Sequence, residues 1–448
     1  MSKLKSMVDG NITQNLILFS IPIMLGNLFQ VMYNTADTII VGRFVGKDAL
    51  AAVGATSPII NMLVGIFLGI SSGAGVLISK KYGAKNDKDL SKAIHTFILM
   101  TLIMGIIISV VGIIATPSIL RAINIPADII DDSITYLGIY FMGALGLVFF
   151  NAASGILRAV GDSKRPLYYL MFASILNVVL DLLFVIQFQM GVSGVAWATF
   201  ISQGLSAVLS LCNIRFTKKN YTFRFKSLRI DKDSMNSILR IGIPAGLQQA
   251  IISLSNVLVQ SYINSFGSIA VAGYSAANKL DSLLVLPINS LALALTTFVG
   301  QNSGARKNDR IFKGVNRCLL IMIVCVAIIG IITYYNLELV LGFINKDPDV
   351  LYYGTMKMRI LIPFYGLLGV NQLLIGALRG LSITKVPIFM NLFSFVVVRQ
   401  LFLFTVMNLY NDIYYVFLNY AITWTISAAL LVIYYLKGHW RHEYKYKM

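Results

Sequence analysis

Long apolar runs separated by short polar segments give the chain its pattern. Runs of membrane-crossing length fall at about 15–41, 54–79, 94–115, 130–155, 166–187, 192–213, 237–264, 277–300, 315–335, 353–378, 387–408 and 413–436. At ~1.5 Å per residue, each such run crosses a hydrocarbon core of ~30 Å as a helix. The ten-residue alternation of a membrane barrel is absent, so helices are expected. The predicted fold class is an all-α integral membrane protein with about twelve transmembrane helices. The first run, ILFSIPIMLGNLFQVMYNTADTIIVG from Ile17 to Gly42, carries two residues that a lipid-facing helix disfavours. Pro22 removes a backbone hydrogen bond. A carboxylate such as Asp37 costs at least ~2.5–3.5 kcal/mol at a helix centre. This element is read as the moving, ion-sensing part of a transporter.

The polar connections are sided. Lys80, Lys81, Lys85, Lys88 and Lys92 follow the second run, and Arg158, Lys164 and Arg165 the fourth. The sixth is followed by seven basic residues between Arg215 and Lys232, the eighth by Arg306, Lys307, Arg310 and Lys313, and the tenth by Arg379 and Lys385. The alternate connections are acidic, with Asp128, Asp131, Asp132, Asp347, Asp349 and Asp412. By the positive-inside rule both termini face the cytoplasm, in a multi-pass protein of the cell membrane. This sidedness accounts for the net charge of +18 without a nucleic-acid partner. With 57% hydrophobic and 12% charged residues, the chain is far from a soluble composition. Met1–Ser6 is basic, but no cleavable signal pattern follows it.

The halves repeat. Gly155-Ile-Leu-Arg158 with Lys164 and Pro166 matches Gly376-Ala-Leu-Arg379 with Lys385 and Pro387, at an offset of 221. The same offset carries Gly46 to Gly267, Ala51 to Ala272, Gly83-Ala84 to Gly304-Ala305, and Asn124 to Asn345. It slips to 222 at Ile21-Pro22 and Ile243-Pro244. The expected organisation is an N-lobe over 1–212, a basic cytoplasmic linker over 213–236, a C-lobe over 237–436 and a basic cytoplasmic tail over 437–448. An even number of helices per half makes these parallel repeats, two six-helix bundles around a central cavity.

The repeat also isolates the unusual polar residues. Asp37 maps to Leu258 or Val259, Asp181 to Phe402, Asn177 to Val398 and Thr199 to Tyr420. Intramembrane carboxylates at Asp37 and Asp181 thus lack counterparts in the second half. Asn34 and Asp37 share a helix face by spacing, as do Asn177 and Asp181. Two carboxylates converging in a low-dielectric pocket cannot both remain ionised without a partner. They could hold a proton, or Na⁺ together with Asn177 and Thr199; a purely structural, helix-pinning role is the alternative. Asp281 is placed near the start of the eighth helix, with a structural role ahead of a functional one. Arg399 lies midway along the eleventh, either lining a C-lobe cavity or paired internally. Cys212, Cys318 and Cys325 read as buried apolar residues, and His95, His439 and His442 have no metal-like partners. No cofactor and no metal are expected beyond Na⁺ at the coupling site. No nucleophile–base or metal constellation of an enzyme is found in the runs.

These motifs together resemble the multidrug and toxic compound extrusion (MATE) family along nearly the whole chain. The resemblance is carried by the proline and aspartate of the first helix, Gly46–Gly54 (GKDALAAVG), Gly83-Ala84, Gly155-x-Leu-Arg-x-x-Gly-Asp162 leading to Pro166, and Asn177-x-x-x-Asp181. It implies a secondary antiporter that exports amphipathic organic cations or drugs against H⁺ or Na⁺ by rocking two lobes, acting as a monomer in the bilayer. On the pattern of the DinF-like branch, Asp37, Asn177, Asp181 and Thr199 would form the ion or proton site with Tyr136 near it. Pro22 would be a hinge. Asn34, Asn151, Gln249, Asn256, Asn371, Gln372 and Arg399 are candidates for cavity lining. Helices seven and ten carry no carboxylate, a departure from branches with a C-lobe cation site. A lipid-linked oligosaccharide flippase of the same superfamily is the alternative; its anionic cargo fits Arg399 but not the carboxylates.

Overall fold

The computed structural model describes residues 7–123 and 125–440. Asn124, the expected mate of Asn345, lies outside the described residues, as do the basic start of the chain and the tail from 441. Twelve helices of membrane length run through the described part. They are α1 (Ile12–Val45), α2 (Lys47–Gly83), α3 (Asp87–Ala122), α4 (Ile130–Ala159), α5 (Lys164–Gln187), α6 (Gly191–Phe216), α7 (Lys232–Asn264), α8 (Ser268–Gly304), α9 (Asn308–Tyr335), α10 (Pro348–Gly380), α11 (Lys385–Leu409) and α12 (Ile413–Lys437). A short helix, Leu337–Gly342, follows α9.

Several helices outrun the apolar stretches that announce them, because their polar ends are capped. The Asn86 side chain accepts the Asp89 N–H at 3.1 Å and starts α3 at Asp87, ahead of the expected 94. Asp347 and Asp412 cap α10 and α12 in the same way. Gly46, at φ 129°, lets α2 begin directly after the wide π-type turn Val41–Val45. Its repeat mate Gly267, at φ 92°, does the same for α8. Left-handed Lys85 and Arg306 also keep the offset of 221, as do Gly161 and Ser382. The duplication is therefore written in the backbone as well as in side chains.

The chain divides into two compact units. In the first, Leu25–Gly246, α4 packs on α2, α3 and α6, and α5 packs on α6. In the second, Met7–Met24 with the chain from Leu247 onward, α10 packs on α8, α9 and α12, and α11 packs on α12. The pairing order is the same, six helices on. Within the first unit the backbones of α2 and α7 cross closely. A Cβ on Gly242 would stand 2.6 Å from the Ile70 Cα, and one on Gly246 would stand 3.0 Å from the Ile66 carbonyl oxygen. Gly69 and Gly73 face them, a small-residue crossing on both helices.

The unit boundaries differ from those expected at 212 and 237. Met7–Met24 belongs with the second unit. The Met7 N–H bonds Gln301 Oε1 at 3.1 Å, Lys307 pairs with Asp9 at 2.8 Å, and Arg317 reaches Thr13 at 3.1 Å. The linker belongs with the first unit. Tyr221 and Phe223 are buried in its core. His95 Nδ1 lies 2.7 Å from the Ser91 carbonyl oxygen, while Nε2 accepts the Arg224 N–H at 3.0 Å. Thr96 accepts the Asp231 N–H at 3.0 Å, and Lys92 pairs with Asp231 at 3.5 Å.

Candidate functional site

In the first unit, four helices each present a pair of residues one turn apart: Tyr33 and Asp37 from α1, Tyr136 and Tyr140 from α4, Asn177 and Asp181 from α5, Thr199 and Gln203 from α6. The i, i+4 spacing aims both members of each pair the same way. They meet in one cluster. The carboxyl groups of Asp37 and Asp181 lie against each other, with Tyr33 and Tyr136 within electrostatic reach of both. Asn177 Nδ2 lies 3.4 Å from Thr199 Oγ1. Asp181 is wholly buried, just before the wide turn Leu183–Gln187.

Five buried oxygens here receive no hydrogen-bond donor: Asp37 Oδ1, both Asp181 oxygens, Asn177 Oδ1 and Gln203 Oε1. Buried acceptors are normally satisfied, so five acceptor oxygens left without a donor, two of them on one carboxyl group, are suited to a proton or a hard cation. A cavity of about 40 Å³, lined by Tyr33, Tyr140, Thr199 and Gln203 among others, adjoins it. The donor set fits H⁺ shared between carboxyl groups, or Na⁺ held by carboxylate, amide and hydroxyl oxygens.

The second unit holds a larger cavity of about 440 Å³. Its walls include Tyr274, Asn278 and Asp281 from one face of α8, Lys357 from α10, and Tyr420 and Trp424 from α12. Lys357 is buried, bonded to Asn278 Oδ1, with Nζ 4.0 Å from the Tyr274 ring centroid. The Tyr365 hydroxyl donates to Asp281. Arg399 stands just behind the wall. Its Nη1 donates to Asn256 Oδ1 at 2.7 Å and its guanidinium lies 4.9 Å from the Tyr420 ring centroid. The wide turn Phe393–Val398 sets its position, and the Ser255 hydroxyl donates to the Phe395 carbonyl of that turn at 2.7 Å.

The MatE family model matches residues 22–183 and again residues 244–405. The chain belongs to the MatE family. A probable multidrug resistance protein of Bacillus subtilis, YpnP, is 30% identical over 434 residues, 97% of each chain. The multidrug export protein MepA of Staphylococcus saprophyticus is 24% identical, covering 96% of this chain and 95% of its own. A MOP superfamily transporter from Pyrococcus furiosus shares the fold, with a TM-score of 0.90 at 23% identity over 97% of each chain. The MatE chain is a multi-pass membrane transporter of the multidrug efflux class, not an enzyme.

Within this MatE chain the structure gathers Asp37, Asp181, Asn177, Thr199 and Tyr136 into one cluster. Asn34 is exposed, and Asn151 bonds its own helix at the Leu147 carbonyl, 2.9 Å away, beside a small apolar cavity. Pro22 is buried inside a helix that runs unbroken from Ile12 to Ile40. In the second unit Asn256 lines the cavity, while Gln249, Asn371 and Gln372 do not. Gln249 is exposed; Asn371 is buried and bonds Asn391 and Ser427. Asp281 is not near the helix start: α8 begins at Ser268, about three and a half turns earlier. The structure adds Tyr33, Tyr140, Gln203 and Lys357 to the residues that the sequence suggests. Turn spacing from Asp37 and Thr199 points to Tyr33 and Gln203, and Lys357 is a cation inside an apolar run.

Proposed function

We propose that this MatE protein is a secondary active antiporter of the cell membrane. It exports amphipathic organic cations or drugs in exchange for H⁺ or Na⁺ by rocking-bundle alternating access. Both termini are cytoplasmic and the working unit is a monomer. The observation that carries the reading is the contact between half-buried Asp37 and buried Asp181, among acceptor oxygens that lack donors. Two carboxyl groups in contact demand a proton or a cation, and losing it on the other side of the membrane gives the site two charge states. The coupling ion shifts the transport equilibrium only by its differential affinity for the two lobe arrangements. The names of the B. subtilis and S. saprophyticus relatives support drug export. Placement of both acids in the first half supports the DinF-like arrangement.

The test is efflux of a fluorescent cationic dye from proteoliposomes under an imposed proton or Na⁺ gradient, for wild type and Asp37→Asn. The reading expects gradient-driven efflux in the wild type only, and the gradient that works names the ion. Full activity in Asp37→Asn would remove Asp37 from coupling. A wild type that moves no dye under either gradient would shift the assignment to a lipid-linked oligosaccharide cargo.

A further inference from the structure

The two sites occupy equivalent places in the repeat. At the offset of 221, Tyr136 corresponds to Lys357, Tyr140 to Leu361, Thr199 to Tyr420 and Gln203 to Trp424. All four second-unit residues line the larger cavity. The duplication thus kept the location and changed the sign of the net charge: the first unit places two carboxyl groups there, the second two cations beside one carboxylate, Asp281. We propose that the second-unit cavity is a binding site for aromatic carboxylates, the chemistry found on zwitterionic amphiphiles beside their amine. The proposal deepens the transporter reading and takes its physiological meaning from it.

Charge and shape both support this ligand. Lys357 and Arg399 are 2% and 1% exposed, and neither forms an ion pair among the described residues. Arg399 Nε also lacks a hydrogen-bond partner. The one carboxylate in the wall, Asp281, receives the Tyr365 hydroxyl, a bond that keeps its charge, and lies within electrostatic reach of Lys357. Two cations against one acid leave a net positive interior, and rings stacked on the cations offset only part of the burial penalty. Asp281 is the one acid among the described residues within electrostatic reach of Lys357, and a ligand carboxylate at Lys357 Nζ supplies the second counter-charge that the two cations need. Tyr274, Tyr420 and Trp424 offer ring faces for an aromatic body, and the volume is that of a small-molecule pocket. A purely cationic ligand would meet like charge here.

The experiment compares two probes with the same ring system, 9-anthracenecarboxylate and 9-(aminomethyl)anthracene, by fluorescence anisotropy on the purified chain in lipid nanodiscs at neutral pH. The carboxylate is expected to bind about tenfold more tightly than the ammonium. Lys357→Gln should remove that preference, and Lys357→Arg should retain it. The preference in the wild type needs no variant to fold. Equal or tighter binding of the ammonium, no binding of the carboxylate, or unchanged carboxylate affinity in Lys357→Gln with an intact melting curve would overturn the proposal. Dye efflux on the same preparation separates the two readings. Efflux without carboxylate preference sinks the cavity assignment alone, and preference without gradient-driven efflux sinks the ion-coupled dye-export reading alone.

Discussion

Asp181 has no exposed surface and no donor on either oxygen, so its charge must be balanced by what the site binds. Asp181→Asn keeps the shape and removes the charge. It is expected to abolish gradient-driven export while leaving the melting temperature at or above that of wild type. A large fall in melting temperature would mark Asp181 as a packing residue instead. Asn371 differs in its amide nitrogen, which has partners, although its Oδ1 has none. It donates to Asn391 Oδ1 at 3.2 Å and to Ser427, while Ser427 reaches Asn391 Oδ1 at 3.0 Å. Asn371→Leu strands these partners and should cost about 1–3 kcal/mol, read by thermal unfolding in detergent, with cavity binding unchanged. Sequence alone places Asn371 and Asp181 in the same class of buried polar residue. What separates them is charge and the bonds of the Asn371 Nδ2 to Asn391 and Ser427, and those depend on side chains far away in the chain. The burial of Lys357 likewise depends on distant packing. A lysine close to the start of an apolar run reads as interfacial, until α10 is found to begin at Pro348 and the side chain to be buried.

At the level of helices, periodicity and the positive-inside pattern were enough for number and order. They could not give ends, because caps such as Asn86 and glycines such as Gly267 extend helices through polar sequence. The α2–α7 crossing depends on bare backbone. Gly242→Leu has no room beside Ile70 Cα and is expected to lower the melting temperature sharply and reduce the yield of folded protein. The linker adds a pH dependence. Hydrogen bonds from Ser234, 2.7 Å from its hydroxyl and 3.0 Å from its N–H, hold the Asp231 carboxyl below the usual carboxylate range. A depressed carboxylate adds stability that is present above its unfolded value and lost as pH falls through the folded one. Hydrogen exchange in residues 222–230 should therefore accelerate on acidification beyond its intrinsic pH dependence. Asp231→Asn should flatten that extra response.

Over the whole molecule, the repeat governs where the chain changes allegiance. The division falls after Met24 in α1 and after Gly246 in α7, two residues past Pro22 and Pro244 respectively. These points are 222 apart, the offset of the two prolines themselves. A proline leaves one carbonyl without its helical partner, so the helix is easiest to bend there. Pro22→Ala and Pro244→Ala are each expected to slow export at saturating dye while leaving dye affinity within about twofold, as a stiffened hinge would. Unchanged turnover in both would exclude the prolines from the rate-limiting motion.

The same allegiance has a consequence for cutting the gene. A break within 213–236 looks like a clean separation of duplicates, yet it would leave Met7–Met24 on the first fragment and the anchoring start of α7 on the second. Each product would then carry a piece that folds with the other. Fragments made separately should be defective, and co-expression should restore transport by complementation, with neither half serving as a portable module.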